Sequence, residues 1–583
     1  SDNYKGKDTY AAFVDRLYFD TQGNSSRTYS SISQSNTNNS SYSLRGQLSY
    51  SDVYREIHRF SVLAGAEIRG EKAEGIFEKR YGYDPVTGNS AMPVPKDPGN
   101  GEGFKYSDLV SYANAMDQLS GQEIEENRFA SFYGALDYSL FDRYVLNVSF
   151  RTDGSNNFGS DEQFNPTWSA GAVWHVSEET FMEVVRPVLS RLSLRVATGY
   201  TGNINKTVKP NLMMKYYKNF RISDDENYRM GYINNAPNPK LRWEKTRDVK
   251  VALDFGLWKD RINGIVEAYW RKSKDCVTSE YVPVTTGFFN QSYNTSVLQN
   301  NGVEFSLSVA VLKSKDYNLS VSANVAWNQN KLKKYNSPNT SLALDKYVGY
   351  PMGAVFSGKY EGIDPETGMY KFKLRPDAVT NKDGYLREPN NYYYYLGTSV
   401  APFTGGFNLN FSYKNIGLSV GGSYSVKAKM VDNIESPAGY ELLSGSKLES
   451  IPTPHNDLYR NHLNVKREVR NRWTPENRTG VKYPRLIDAY GKKLGLDLTN
   501  PTLTTITRGA LLEDISCLRI NTIALSYSLP QRVLERINFS SAALNLTLNN
   551  FFTITKYSGI DPEVPGATYP VSRSVTIGLN VGF

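Results

Sequence analysis

Long hydrophobic runs are missing from this 583-residue chain. With no stretch of about 18 apolar residues, neither a membrane-spanning helix nor an intact secretory leader is expected. Cysteine is nearly absent. Cys276 and Cys517 lie far apart with no CxxC, which argues against a disulfide framework and against a zinc site. Histidine is as scarce: His58, His175, His455 and His462 are scattered, with no HExxH, so no metal centre is expected. There is no Walker A loop and no G-x-S-x-G elbow, so no catalytic residues are expected and the chain reads as a non-enzyme. Charge of one sign is not concentrated either. Sixty-seven basic residues against 59 acidic ones leave +8. The run Lys466, Arg467, Arg470, Arg472 is short and broken by Glu468, so it reads as a solvated face and no nucleic-acid partner is expected.

What is present is tyrosine, 42 residues of it, and strict alternation. Tyr317, Leu319, Val321, Ala323, Val325 and Trp327 form an apolar row with an aromatic at each end. Asn318, Ser320, Ser322, Asn324 and Ala326 lie between them. Period-2 patterning of this kind marks a β-strand with two unlike faces. Ten steps of about 3.3 Å give roughly 33 Å, and a tilt of about 45° brings the span near the apolar band of an outer-membrane barrel. Terminal aromatics suit the two membrane interfaces, where a ring touches lipid and headgroup together.

The pattern recurs along the chain, as in Tyr42–Tyr50, Phe60–Ile68, Phe132–Leu140, Val249–Leu257, Phe407–Tyr413 and Val575–Phe583. With weaker candidates near Phe13 and Phe356, about 16 strands are expected. Connections alternate between tight turns, such as Phe141-Asp142-Arg143, and stretches of tens of residues, such as Arg69–Asn127, Gly202–Lys245, Arg271–Asn301 and Lys427–Cys517. Outer-membrane barrels sort their connections in this way, short inside and long outside. The expected fold is therefore all-β: a transmembrane antiparallel β-barrel.

Two loop features invite a chemical reading. Gly362-Ile363-Asp364-Pro365-Glu366-Thr367-Gly368 is echoed by Gly559-Ile560-Asp561-Pro562-Glu563. Carboxylates beside Pro and Gly suit calcium, but a rigid turn needs the same residues and is the reading preferred here. Asn381-Lys382-Asp383-Gly384 is read likewise as a turn. Tyr392, Tyr393, Tyr394 and Tyr395 form an aromatic cluster. They are candidates for substrate or partner contact on the extracellular side.

Several stretches resemble one family. Arg151-Thr152-Asp153-Gly154-Ser155-Asn156-Asn157-Phe158-Gly159, followed by Thr167–Gly171, resembles the SusC/RagA family of TonB-dependent transporters of Bacteroidota. Asn238–Glu244, Asn301–Glu304, Gly362–Gly368, Asn471–Asn477 and the strand ending Leu529-Pro530 resemble further hallmarks, in family order over nearly the whole chain. The resemblance implies a 22-stranded barrel of which residues 1–583 supply about 16 strands as the C-terminal part. The signal peptide, N-terminal extension, TonB box, plug and first strands would be absent. Phe583 would be the assembly signal.

The implied function is active import of oligosaccharides or peptides across the outer membrane, energised by TonB acting through the plug. Implied partners are the N-terminal plug and barrel segment, a SusD-like surface lipoprotein, outer-membrane lipid and the ligand. A dimer of transporter–lipoprotein pairs is implied as well. No cofactor is expected, with calcium conceivable only in the lipoprotein or loops. An open sheet in hydrocarbon would leave two rows of unpaired backbone groups at several kcal/mol each, so the sheet edges require partner strands. The alternatives are a passive porin, which needs no TonB, and a soluble surface glycan-binding β-protein, which would not need aromatic-ended strands.

Overall fold

The computed structural model describes residues 2–5, 31–81, 86–89, 120–206, 208–216, 231–288, 290–335, 347–366, 368, 370–378, 391–431, 471–482, 508–565 and 569–583. Sixteen strands form one antiparallel sheet in which chain order is spatial order. They are β1 (Asp2–Lys5), β2 (Ser31–Tyr54), β3 (His58–Tyr81), β4 (Ser120–Leu140), β5 (Tyr144–Ser155), β6 (Phe164–His175), β7 (Leu189–Asn203) and β8 (Glu244–Leu257). They continue as β9 (Ile262–Tyr281), β10 (Asn290–Lys313), β11 (Tyr317–Lys334), β12 (Phe403–Tyr413), β13 (Ile416–Val426), β14 (Cys517–Ser528), β15 (Ser541–Thr555) and β16 (Ser574–Gly582). Among the described residues β1 and β16 do not pair with each other, and the sheet is open.

Register keeps the two kinds of row apart. Val321, Leu409, Val420, Ile523, Leu548 and Val575 stand opposite one another in turn across six strands. One step along, Ser322, Asn408, Gly421, Thr522, Asn549 and Ser574 do the same. A slip of one residue would put every apolar side chain on the polar face, so the two-sided environment fixes the register. Among the described residues the apolar rows pack against no other layer: Leu48 is 82% exposed and Ile577 72%. The polar rows line the concave side, where a cavity of about 460 Å³ is bordered by Asn263, Ser306, Ser322, Asn324 and Asn408 of β9–β12. A greasy convex wall around a polar lumen is the arrangement a membrane barrel requires.

The two ends of the sheet differ. At one end β2–β3, β4–β5, β8–β9, β10–β11 and β12–β13 are joined by turns of two to four residues. Several turn residues hold left-handed backbone, among them Phe141 (φ 55°) and Asp142 (φ 54°), whose twist matches that of the flanking strands. Two connections at this end are longer: 176–188 has 3-10 turns, and 529–540 holds helix α1 (Gln531–Ile537). At the opposite end lie the long connections, including 204–243, 335–402 and 427–516.

Two expectations are corrected. Phe356 does not head a wall strand; Ala354–Gly358 pairs with Tyr393–Thr398 as a small hairpin within the 335–402 connection. The stretches Arg69–Asn127 and Arg271–Asn301 are not loops throughout. β3 runs to Tyr81, β4 starts at Ser120, β9 runs to Tyr281 and β10 starts at Asn290. Beyond the bilayer both faces of a strand meet water, as where Asn38 faces Glu74 and Ser40 faces Lys72, so backbone pairing continues after the hydrophobic alternation stops. The Phe13 candidate, Asn381–Gly384, His455, His462 and the Lys466–Arg470 part of the basic run lie outside the described residues.

Candidate functional site

The long-loop end is assembled by the sequence's own hallmark stretches. Arg151–Gly159 leaves the end of β5 and docks against Asn238–Glu244 where the chain enters β8. The Gly159 N–H donates to the Leu241 carbonyl at 2.9 Å, and the Asp161 N–H to that of Pro239 at 3.3 Å. Phe158 stacks on Trp243 with centroids 4.6 Å apart, and both rings are buried. Asn156 exchanges hydrogen bonds with the backbone of β4, and the amide of buried Asn157 donates to Asn127 at 2.7 Å. Lys209 closes the group by bonding Asn157 and Glu125, and that hydrogen bond holds the Glu125 carboxyl below its ordinary range. These residues build the rim at this side of the long-loop end.

The two Gly-Ile-Asp-Pro-Glu stretches are turns, as expected. Asp364 accepts from the Glu366 N–H at 2.9 Å, and Trp473 of the Asn471–Asn477 stretch donates to the Pro365 carbonyl at 2.9 Å. Asp561 accepts from the Glu563 and Val571 N–H groups, each at 3.0 Å, and from the guanidinium of Arg519. Arg519 also pairs with Glu563 at 2.6 Å, and its side chain is only 3% exposed. Burial pushes the Asp561 carboxyl up, but the Arg519 hydrogen bond and the two N–H donors together hold it below the usual range. A β-bulge at Asn521 makes this pairing possible. It shifts the alternation so that Arg519 stands opposite Ser423 of the polar row instead of following Ile523 towards lipid.

Above the lumen, β11 outruns β12, whose first residue Phe403 stands opposite Trp327. The free edge of β11 is met by loop backbone: the Asn328 N–H donates to the Pro402 carbonyl at 2.9 Å and the Leu332 N–H to that of Tyr350 at 2.8 Å. Between loop and rim lies a cavity of about 540 Å³. Tyr350 and Tyr395 line it with ring centroids 4.9 Å apart, backed by Phe356, which meets Tyr350 edge-on at 5.0 Å. Asn300, Asn328, Gln329 and Asn330 supply amides, and Lys331 is the single charged residue of the lining among the described residues. Burial raises the Tyr395 phenol above its ordinary range, so it stays neutral at physiological pH.

Strand alternation divides the four candidate tyrosines, all of which lie at the long-loop end. Tyr395 faces the cavity, opposite Phe356 in the hairpin. Tyr394 turns away and donates to the Leu374 carbonyl at 2.9 Å. Tyr393 stands opposite Gly358 and, like Tyr392, is half-buried. Sequence reasoning missed Tyr350 and the asparagines, because nothing local links residues 300, 330, 350 and 395. Phe583, at the short-turn end, meets Phe539 edge-on at 5.0 Å and is 91% exposed.

Lower in the lumen, β5 and β7–β9 carry ion pairs on their polar rows. Arg195 forks onto Asp254 at 2.6 and 3.1 Å, Arg271 meets Asp248 at 2.7 Å, and Lys250 meets Glu267 at 3.1 Å. Arg151 meets Asp153 at 2.6 Å. Each pair neutralises itself, and partly exposed pairs of this kind contribute about 0–1 kcal/mol.

Residues 1–444 match the family described as TonB dependent receptor-like, beta-barrel. The chain is 26% identical to TonB-dependent receptor P26 of Formosa agariphila, over 97% of this chain and 55% of that protein. It is 26% identical to TonB-dependent receptor SusC of Bacteroides thetaiotaomicron, over 90% of this chain and 48% of that protein. The chain thus spans about half the length of the curated relatives it matches. The solved RagAB peptide transporter shares the fold, with a TM-score of 0.73 at 24% identity, over 96% of this chain and 57% of that one.

Proposed function

The chain belongs to the TonB-dependent receptor-like β-barrel family and is an outer-membrane protein of SusC/RagA type, and from that premise we propose that it walls an importer of oligosaccharides or peptides. Its strands supply the barrel wall and its long loops the mouth. TonB energises transport through a plug that is contributed, with the strands pairing the open sheet edges, by sequence outside residues 1–583. A SusD-like lipoprotein covers the mouth and presents cargo to it. The observation that carries this reading is the mouth cavity: aromatic and amide side chains gathered on the long-loop end, directly above a polar lumen. No step of bond chemistry is assigned to the chain; its residues bind, orient and guide.

The test has two parts. Purification from outer membrane, with mass spectrometry of every co-eluting chain, is expected to return plug sequence and a SusD-like lipoprotein. Removing TonB is expected to abolish cargo accumulation while surface binding persists. Accumulation that continues unchanged without TonB would mark the protein as a passive porin and end the proposal.

A further inference from the structure

Cargo class can be read from the mouth cavity and the wall beneath it, provided that the import reading above holds. Six consecutive wall segments, Tyr317–Trp327 of β11 and all of β12–β16, contain one Lys, Arg, Asp or Glu between them, Arg519. That residue is buried and already paired with Asp561 and Glu563. The rest of this lumenal face is amide, hydroxyl, glycine and alanine, and it forms a second cavity of about 380 Å³ bordered by Ser320, Asn410, Ser419, Ser526 and Asn545. The charged side chains of the lumenal rows stand on the other half of the wall: the pairs of β5 and β7–β9, and further residues of β2–β10 among which are Arg45, Glu67, Arg191 and Glu304. The mouth cavity sits over the uncharged half, at the end of β11.

We infer that the cavity between Tyr350, Tyr395 and the asparagines of the β10–β11 rim binds an uncharged oligosaccharide, which then passes along the uncharged wall of β11–β16. Two partly exposed tyrosine rings, tilted 41° to one another, make a bent platform. The C–H face of a pyranose is apolar and gains by covering such rings, while its edge hydroxyls still need partners. Those partners are at hand. Asn330 donates to Asn300 at 2.7 Å and accepts from Met352 N–H, and Asn328 accepts from Tyr269 at 3.0 Å. The amide N–H groups of Asn300 and Asn328 and the amide of Gln329 have no partner among the described residues, so they can meet hydroxyls, which both give and accept. A peptide carries two terminal charges and any ionised side chains. One lysine in the described lining of the cavity and a β11–β16 wall with no free charge do not replace the water those charges would lose. Neutral hydrogen bonds are each worth about 0.5–1.5 kcal/mol, weak enough to be exchanged step by step along the wall.

The experiment uses the complete transporter purified from outer membrane. The probes are neutral linear glucan, mannan and xylan oligosaccharides, the glucan and mannan chains oxidised at C6 to uronates, and a mixed octapeptide pool, with affinities read by calorimetry. At least one neutral sugar is expected to bind, the oxidised sugars and the peptides at least about tenfold more weakly. Neutral binding is expected to change less than about twofold between 0.05 and 0.5 M salt, since no charge pairing is used. Tyr350→Ala and Tyr395→Ala are expected to cost at least about tenfold. Tyr350→Phe and Tyr395→Phe keep the ring and the packing against Phe356, and are expected to cost less than about threefold. Preferential, salt-sensitive binding of peptides or uronates would overturn the cargo assignment and leave the import reading intact. So would a panel in which no neutral sugar binds, or phenylalanine variants as defective as the alanines. Failure of the TonB dependence described above would instead remove the import reading itself.

Discussion

Gly159→Ala tests whether the rim is built by docking one hallmark stretch on the other. The backbone at Gly159 is extended, φ −61° and ψ 154°, so alanine is conformationally acceptable there. Space is what it lacks. A Cβ would lie 1.9 Å from the Pro239 carbonyl oxygen and 2.1 Å from its carbon. A carbon–oxygen contact needs about 3.3 Å, so the two segments must part by roughly 1.4 Å. The Gly159–Leu241 hydrogen bond, 2.9 Å long, would then exceed 4 Å and be lost. The Asp161–Pro239 bond and the Phe158–Trp243 stack depend on the same approach. Two backbone hydrogen bonds and one buried ring pair amount to about 2–4 kcal/mol of local stability. Hydrogen–deuterium exchange in detergent micelles reads this directly. Peptides covering 156–161 and 238–243 should exchange about 30- to 700-fold faster, while the membrane portions of β5 and β8 keep their protection. Gly75→Ala is the control, because its Cβ would meet nothing closer than 3.8 Å. Unchanged exchange in Gly159→Ala, or the same change in both variants, would show that the two stretches are not held by this contact.

Three further outcomes follow from the same geometry. On β11, Val321→Arg is expected to destabilise the folded barrel by about 2–4 kcal/mol in a urea titration in bilayers, and Ser322→Arg by less than about 1 kcal/mol; the reverse order would invert the lipid face. Asp561→Ala strands buried Arg519 on Glu563 alone and is expected to cost about 3–5 kcal/mol, seen as faster exchange of peptides within 558–565. Because the Asp561 carboxyl is held below its ordinary value, its contribution is complete above about pH 4 and disappears as pH falls through the lowered value. That acid-dependent loss should be absent from Asp561→Ala. Burial first, then Glu244 and Asp275, push the Cys276 thiol up to about 11. Its alkylation rate should therefore climb about tenfold per pH unit to beyond pH 10, and a plateau near pH 8.5 would contradict the buried setting.

Much of the wall was legible without coordinates. Lipid on one side and water on the other impose a period of two, and residues such as Val321 and Ser322 record it directly. The order of the strands followed as well, because an antiparallel meander makes chain neighbours into space neighbours. Where both faces meet water the record stops. The extensions of β3 to Tyr81 and of β10 back to Asn290 are held by backbone hydrogen bonds that leave no hydrophobic trace. The four-tyrosine run pointed to the mouth, but only the hairpin pairing of Tyr395 with Phe356 separates the residue facing the cavity from Tyr394, which turns away.

The sequence alone thus determined the alternating wall, its lopsided ends and its hallmark turns, since each is a local or periodic property of neighbouring residues. The tertiary structure alone decided three things. The bulge at Asn521 turned Arg519 inward, against the parity of its strand. Glycine at 159 became a spacing requirement through Pro239, 80 residues further along the chain. Tyr350 and the rim asparagines joined Tyr395 in one cavity. All three are contacts between segments far apart in the chain, and long-range contact is set by how the sheet curves and where its loops return, which no local pattern encodes.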